Sequence, residues 1–287
     1  MKVANVDGRA TLLVDELVGV DVHATSGGRY GPDLESLYTD WSSFSEWATS
    51  VDLSSARRIA IERSELGAPS PSPRQVFAIG LNYDSHAAES GFDAPTDLPP
   101  VFTKFVSSIT GPDTTVTLPE GGNTDWEVEL VVVIGRVTSS IAPSDAWNHV
   151  AGLTVGQDIS ERITQLRGPA PQFGLGKSFG GFAPTGPWLV TVDEFDNPDD
   201  LELGCAIDSE TVQSGRTRDL IFSVPKLIAG LSETVVLYPG DLIFTGTPAG
   251  VGVGRKPQRF LQDGENLRSW VEGIGELNQH FAEATPR

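Results

Sequence analysis

The chain has 287 residues, one cysteine and a formal net charge of -19 at pH 7. This charge argues against nucleic acid or an anionic membrane surface as a partner. The single Cys205 excludes an internal disulfide, and no stretch approaches about 18 consecutive apolar residues, so we expect a cytoplasmic protein. The length allows one large domain or two.

The first 70 residues are predicted to form a small N-terminal α/β domain. Residues 10–14 and 17–22 are strand-like, and residues 34–49 have the periodicity of an amphipathic helix. The segment 67–74 is rich in proline and serine, so it continues neither a helix nor a central strand. We therefore place a boundary there and predict a catalytic domain over residues 71–287.

The catalytic domain is predicted to be rich in β-structure. Short β-branched runs alternate with Gly/Pro turns, and the main helices are expected near 144–151 and 223–236. This pattern indicates an α+β fold in which mixed sheets close or roll up like a barrel. It does not fit a doubly wound parallel sheet.

A candidate general base follows the first strand of this domain. His86 and Glu89 are three residues apart in a predicted short helix, so they share a face and the carboxylate can orient the imidazole. The segment from Gly80 to Gly91 is bounded by glycines, which predicts a mobile lid that orders when a ligand binds. The alternative is a surface histidine beside a surface glutamate, which is the commoner meaning of an isolated pair.

A candidate metal site begins at residue 127. Glu127 and Glu129 open a β-branched run, and the period of a strand puts both on one face. The next strand-like segment ends in a third carboxylate, Asp158. Buried anions need a cation, and three oxygen ligands suit Mg²⁺ or Mn²⁺ better than zinc. The alternative is that the two glutamates lie on the solvated face of a half-exposed strand.

Polar residues suited to an anionic ligand follow the third carboxylate. Arg162 supplies a bidentate cation, Gln165 an amide, and Lys177 a point charge in a glycine-rich loop. Taken alone, the arginine is equally consistent with an exposed helix position and the lysine with a loop tip. A second glycine-rich loop carries Thr245 and Thr247, whose hydroxyl groups suit an anion; a structural hairpin turn is the alternative.

The sequence resembles the fumarylacetoacetate hydrolase family over residues 74–281. Seven motifs occur in the order seen in that family: Gly80-Leu-Asn-Tyr-Asp-Ser-His-Ala-Ala-Glu, Phe102-Thr-Lys-Phe, Trp126-Glu-Val-Glu-Leu, Gln157-Asp-Ile-Ser-Glu-Arg, Gly176-Lys-Ser-Phe, Gly186-Pro-Trp and Phe244-Thr-Gly-Thr-Pro-Ala-Gly-Val-Gly. The resemblance implies that family's rolled β-rich fold and a homodimer.

The resemblance also implies a role for each candidate residue. Glu127, Glu129 and Asp158 would bind Mg²⁺ or Mn²⁺, and His86 with Glu89 would activate water. The side chains that would hold the substrate are Lys104, Arg162, Gln165, Lys177 and Thr247.

These expectations together predict a metal-dependent hydrolase that cleaves a C–C bond in a 2,4-diketo acid and releases pyruvate. The diketo acid would be acylpyruvate-like or a diketo sugar acid, and Lys177 with Gln165 would stabilise the oxyanion. The same site suits a decarboxylase, isomerase or hydratase of an oxaloacetate-like or dienoate keto acid. A metal-dependent keto-acid binding protein is the alternative outside enzymes.

Overall fold

The computed structural model describes residues 1–89, 91 and 93–284. The strands in these residues are β1 Lys2–Val6, β2 Arg9–Asp15, β3 Val18–Asp21, β4 Arg58–Ala60, β5 Leu66–Gly67, β6 Val76–Ile79, β7 Val101–Thr103, β8 Ile109–Thr110, β9 Asp113–Leu118, β10 Thr124–Asp125, β11 Val128–Ile134, β12 Val150–Gln157, β13 Ser160–Glu161, β14 Ala183–Val190, β15 Glu202–Ile207, β16 Glu210–Arg216, β17 Leu242–Phe244, β18 Asn266–Val271 and β19 Gly275–Glu283.

Among the described residues the α-helices are fewer than the strands. The α-helices are α1 Val22–Thr25, α2 Leu34–Tyr38, α3 Trp41–Ser50, α4 Asp84–Glu89, α5 Arg162–Gln165 and α6 Val224–Thr234. Single turns of 3₁₀ helix cover Arg63–Glu65, Val106–Ser108, Phe173–Leu175, Val192–Glu194, Thr217–Asp219 and Gly252–Gly254, and a longer 3₁₀ helix covers Pro143–His149. No helix of the described residues is long and apolar enough to span a bilayer.

The strands form two main sheets and one short ladder. The larger sheet has the order β4-β3-β2-β1-β14-β12-β11-β17-β6-β7, with β5 beside β1 and β8 beside β14. The smaller sheet has the order β16-β15-β18-β19-β9, and β10 pairs with β13. Most pairs are antiparallel, and the parallel ones are β8/β14, β6/β17 and β9/β19. The prediction of a β-rich α+β fold with mixed sheets is confirmed.

The larger sheet differs from the predicted barrel because it is open. The strands β4 and β7 end it at opposite edges, and each has one partner strand. The N-terminal strands extend this same sheet, since β1 pairs with β14 through Lys2 and Val190. A separate N-terminal domain therefore stays a prediction.

Local signals explain where two helices depart from the sequence-based expectation. The helix expected over 34–49 is two helices, because Asp40 adopts a non-helical conformation and its side chain accepts a hydrogen bond from the Ser43 N–H group. That arrangement begins a new helix. The helix expected near 144–151 is a run of 3₁₀ turns at Pro143–His149, and the helix expected over 223–236 is α6.

Strand β11 carries the core and positions the candidate site. All seven of its residues are buried, and its side chains alternate between two apolar clusters. One cluster contains Val128 and Val132 and reaches the smaller sheet, whereas the other contains Val131 and Val133 and reaches the aromatic side chains of α2 and α3. Glu129 lies on the same face of β11 as Val131 and Val133, so the N-terminal end of this apolar face carries a buried carboxylate.

Candidate metal centre and active site

Three carboxylates from two adjacent strands converge at one end of the larger sheet. Glu127 directly precedes β11, Glu129 lies within it, and Asp158 directly follows the paired strand β12. One oxygen atom from each lies within 4.8 Å of the others, and all three residues are buried. Such an all-oxygen donor set is the kind that Mg²⁺ and Mn²⁺ prefer.

Three buried cations surround these carboxylates. The Nζ atom of Lys177 donates to Glu127 Oε2 and Asp158 Oδ2, each at 2.7 Å. The Nζ atom of Lys104 donates to Asp158 Oδ1 at 2.5 Å and to the backbone carbonyl of Lys177, while Arg162 Nη1 lies 2.7 Å from Glu127 Oε1. Burial opposes the charge on Lys177, but its carboxylate partners outweigh it and raise its pKa. Burial lowers the pKa of Lys104.

Glu129 has no cationic partner among the described residues. Its Oε2 atom accepts a hydrogen bond of 2.7 Å from the Gly246 N–H group. Burial, followed by the charges of Asp158 and Glu127, raises the pKa of Glu129 well above its usual range. In Glu127, by contrast, burial also raises the pKa, but Lys177 and Arg162 together outweigh it and hold the pKa well below that range. A divalent cation would supply the missing positive charge, so the residues present fit the metal that the sequence predicts.

This electrostatic imbalance predicts a pH dependence of stability without metal. Because the folded-state pKa of Glu129 is raised, the native protein holds that proton more tightly than the unfolded chain. The stabilisation that this bound proton gives the folded protein is therefore complete below the ordinary pKa of 4.5, and it is lost as the pH rises through the folded-state pKa. Metal-free wild type should lose stability over this window by up to about 1.4 kcal/mol per pH unit relative to Glu129→Gln, which has no proton to lose. Urea unfolding in EDTA at several pH values measures the difference, and identical slopes for the two proteins would contradict the assignment.

Two buried glutamines that the sequence analysis missed fix the strand that bears the glutamates. Gln157 Oε1 accepts from the Glu127 N–H group at 2.8 Å, and Gln213 Oε1 accepts from Val128 N–H at 3.0 Å. The Asp158 N–H group donates to the Glu127 carbonyl at 2.9 Å. The N–H groups of Glu127 and Val128 are thus both hydrogen bonded, and the backbone contact between Asp158 and Glu127 fixes the distance between these two residues. The position of Gln157 directly before a candidate ligand was the only sequence signal.

His86 and Glu89 lie together on α4, as predicted, but they are not hydrogen bonded in this structure. His86 Nδ1 is 3.8 Å from Glu89 Oε2 and has no hydrogen-bond partner among the residues that the structure describes. The Gly250 N–H group donates to both oxygens of Glu89, at 3.0 and 3.2 Å. Burial opposes the ionisation of Glu89, but the neighbouring imidazole and this N–H group outweigh it and lower its pKa. Within the predicted lid from Gly80 to Gly91, residue 90 lies outside the described residues.

The predicted catalytic side chains line one cavity of about 400 Å³. Its polar lining consists of His86, Glu89, Glu127, Arg162, Gln165 and Lys177, and its apolar lining includes Leu81, Pro100, Phe102, Leu166, Phe173 and Val253. The rings of Phe102 and Phe173 pack edge to face, with centroids 5.6 Å apart. The cavity thus has one charged side beside the metal centre and one apolar wall, the arrangement of a small-molecule site.

Two predicted substrate-binding residues take different positions. Arg162 Nη1 donates to Gln165 Oε1 at 2.9 Å, which leaves the NH₂ group of that amide as the end free to meet a ligand. The hydroxyl group of Thr247 donates to the Val128 carbonyl at 2.9 Å and accepts from Gln213 Nε2 at 2.8 Å. In this structure Thr247 therefore stabilises β11, and its contact with a substrate stays a prediction.

The fold and site define a class of β-rich α+β proteins in which three buried carboxylates that could hold a divalent metal lie beside a histidine–glutamate pair. The family model for the fumarylacetoacetate (FAA) hydrolase C-terminal domain matches residues 75–282. The chain belongs to this family, so the resemblance seen in the sequence is confirmed.

Comparisons with known proteins identify relatives of different activities. Oxaloacetate tautomerase FAHD2A, mitochondrial, of Homo sapiens is 45% identical over 218 residues, which cover 75% of this chain and 69% of that protein. The crystal structure of a Mycobacterium smegmatis protein provisionally named HpcE is 56% identical, with a TM-score of 0.92 over 99% of this chain and all of that one. Maleylpyruvate hydrolase from Sphingobium sp. SYK-6, in complex with manganese (II) ion and pyruvate, is 27% identical, with a TM-score of 0.82 over 99% of this chain and 100% of that one.

Proposed function

We propose that the protein is a divalent-metal-dependent enzyme that moves a proton at C3 of a short 2-oxo acid and interconverts its keto and enol forms. Oxaloacetate is a substrate of this class. The observation that carries the proposal is that His86 lines the same cavity as Glu127 and Lys177. A base, a metal-binding carboxylate and a cation therefore face one small ligand. The 45% identity with an oxaloacetate tautomerase supports it.

The chain's own residues supply the binding groups for a 2-oxo acid. The ammonium group of Lys177 has three N–H donors, of which two contact Glu127 and Asp158, so one remains for the ligand. The free amide NH₂ group of Gln165 is a second donor for a carboxylate or oxo group. A divalent metal held by Glu127, Glu129 and Asp158 would supply Lewis acidity to polarise the 2-oxo group.

Proton transfer is assigned to the histidine. The Nδ1 atom of His86 lies on the side of Glu89, which leaves Nε2 as the nitrogen for the substrate. The imidazole removes a proton from C3, the electrons of the C–H bond form the C2–C3 double bond, and the imidazolium returns the proton to the 2-oxo oxygen to give the enol. The carboxylate of Glu89 stabilises the imidazolium that forms between the two steps. The apolar wall of Phe102 and Phe173 limits access of water to this intermediate.

Hydrolysis of a C–C bond in a 2,4-diketo acid is the second candidate. The apolar half of the cavity favours it, because oxaloacetate has no apolar group to place against Phe102, Phe173 and Leu166. The similarity to maleylpyruvate hydrolase supports it as well. In that reaction His86 would deprotonate a water that attacks the distal carbonyl, and Lys177 would stabilise the oxyanion.

We further propose that the enzyme is a homodimer.

A substrate panel tests the two candidates. The protein should be incubated with Mg²⁺ and oxaloacetate, acylpyruvates or dienoates, and followed by NMR for keto–enol exchange and by mass spectrometry for cleavage products. We expect keto–enol exchange of oxaloacetate to be accelerated at least ~10²-fold over the enzyme-free reaction, the scale of general acid–base catalysis. Release of pyruvate from acylpyruvates without such acceleration would favour the hydrolase. Absence of both would overturn the proposal.

A further inference from the structure

The carboxylate of Asp125 is fully buried and accepts five hydrogen bonds. Its Oδ1 atom accepts from the N–H groups of Trp126 at 2.8 Å and Gly252 at 2.6 Å. Its Oδ2 atom accepts from Val253 N–H at 2.9 Å and from Arg162 Nε and Nη2 at 2.8 and 2.6 Å. The pairing of β10 with β13 makes this geometry, because it places Asp125 opposite Ser160, two residues before the arginine. No step of the proposed reaction uses this carboxylate.

The loop that Asp125 binds also holds the helix of the candidate base. Gly250 donates its N–H group to both oxygens of Glu89. A Cβ atom at Gly254 would lie 2.4 Å from Glu89 Cγ, and one at Gly252 would lie 2.7 Å from Asp125 Oδ1. The loop over residues 250–254 therefore contacts the Glu89 carboxylate on one side and the Asp125 carboxylate on the other. A side chain at Gly252 or Gly254 would collide with one of them.

The arginine connects Asp125 to the metal centre. Arg162 has five N–H donors in a rigid plane, and it uses Nε and Nη2 for Asp125 and Nη1 for Glu127 and Gln165. Nε and Nη2 both donate to the Oδ2 atom of Asp125, and together with the Nη1 contacts on the opposite side they fix the plane of the guanidinium group. The orientation of Asp125 therefore sets the direction of the group that contacts a metal-binding glutamate and the substrate-facing amide.

We propose that Asp125 is a positioning residue that links the docking of α4, through the 250–254 loop, to the metal centre, through Arg162. With Asp125 in place, the loop presents its Gly250 N–H group to Glu89, and the imidazole of His86 faces the cavity. Without it, the loop and the guanidinium group lose their common anchor. The base and the substrate-binding amide then lose their fixed relation to each other, although neither side chain is changed.

This proposal rests on the proposed function where it concerns turnover, and the first test avoids that dependence. Hydrogen exchange of residues 84–89 should be measured in wild type and Asp125→Asn, with Mg²⁺ and oxalate present. An asparagine accepts fewer hydrogen bonds and cannot pair with the guanidinium ion. We expect protection of residues 84–89 to fall at least tenfold, while residues 131–134 in β11 keep theirs.

A matched control separates positioning from general destabilisation. Asp113 also accepts from an arginine, through Arg63 Nε at 2.9 Å and Nη2 at 3.1 Å, at the edge of the smaller sheet. We expect Asp113→Asn to leave exchange at residues 84–89 unchanged. Wild-type protection there in Asp125→Asn, or an equal loss at residues 131–134, would overturn the link to α4. If Asp125→Asn does not fold, Asp125→Glu keeps the charge and displaces it by one methylene, and wild-type protection in that variant would overturn the link.

A double-variant cycle tests whether Asp125 and Glu89 act through the same loop. Once a substrate is identified, Glu89→Gln should lower kcat at least tenfold in wild type but less than threefold in the Asp125→Asn background, because the docking contact is already lost there. If Glu89→Gln lowers kcat by the same factor in the wild type and in the Asp125→Asn background, the proposal is overturned. Failure of the proposed function would appear instead as absence of turnover in the wild type, with the exchange result unaffected.

Discussion

Glu129→Ala is expected to abolish activity and to remove the stabilisation that Mg²⁺ or Mn²⁺ gives the wild type. The two carboxylates that remain both contact cations. Glu127 contacts Lys177 and Arg162, and Asp158 contacts both buried lysines. They cannot replace the third oxygen ligand of a strongly hydrated ion. A metal present at a hundredfold excess over its Kd stabilises a protein by about 2.7 kcal/mol, which is about 5 °C in Tm for a chain of this size.

Thermal unfolding with EDTA and with Mg²⁺, together with Mn²⁺ titration followed by electron paramagnetic resonance, measures this effect. The exposed Glu202 on β15 offers a control, and Glu202→Ala should keep the metal-dependent increase in Tm. We also expect Glu129→Ala without metal to be no less stable than metal-free wild type near neutral pH, because it loses a buried carboxylate that has no cationic partner. Full activity of Glu129→Ala, or resistance of the wild type to EDTA, would show that the three carboxylates are not a catalytic metal centre.

His86→Ala is expected to distinguish proton-transfer chemistry from simple metal-assisted chemistry. Both keto–enol interconversion and diketo-acid hydrolysis need a base, so each should fall by at least ~10²-fold. Any decarboxylation of oxaloacetate should stay within about tenfold, a barrier change of ~1.4 kcal/mol, because it needs only stabilisation of the charge that develops on the 2-oxo group. Initial rates for the three reactions on one enzyme preparation provide the comparison.

The remaining histidines provide the control for this substitution. His280 pairs with Asn266 on the smaller sheet, and His280→Ala should leave all three rates unchanged. Equal loss of decarboxylation in His86→Ala would mean that the imidazole does more than act as a base. Wild-type tautomerisation and hydrolysis in His86→Ala would mean that the pair on α4 is not catalytic.

The candidate site can be located from the sequence because its signals are local. A strand period of two is enough to place Glu127 and Glu129 on one face, and a helical spacing of three is enough to place His86 beside Glu89. The structure keeps both relations and adds Asp158 within 4.8 Å. The lysines were less accessible to such reasoning. Nothing local showed that Lys104 and Lys177 would contact the two oxygens of Asp158.

The residues that the sequence analysis missed share one property. Gln157 and Gln213 act on the backbone of a strand, and Asp125 acts on a loop more than a hundred residues away. Their side chains carry no distinctive spacing, and buried polar groups of this kind can be identified only from their partners. For Thr247, whose glycine-rich surroundings suggested an anion site, contact with a substrate stays a prediction. Its hydroxyl group holds the Val128 carbonyl in this structure.

The sequence by itself determined the family, the β-rich α+β class and the three carboxylates, because these follow from motif order, residue type and short spacings. The tertiary structure alone decided that the larger sheet is open, that Lys104 and Lys177 neutralise Asp158 while Glu129 has no cationic partner among the described residues, and that Asp125 joins Arg162 to the 250–254 loop. The physical reason is that the strength and sign of an electrostatic contact depend on distance and burial. Long-range strand pairing sets both quantities, and no local pattern records them.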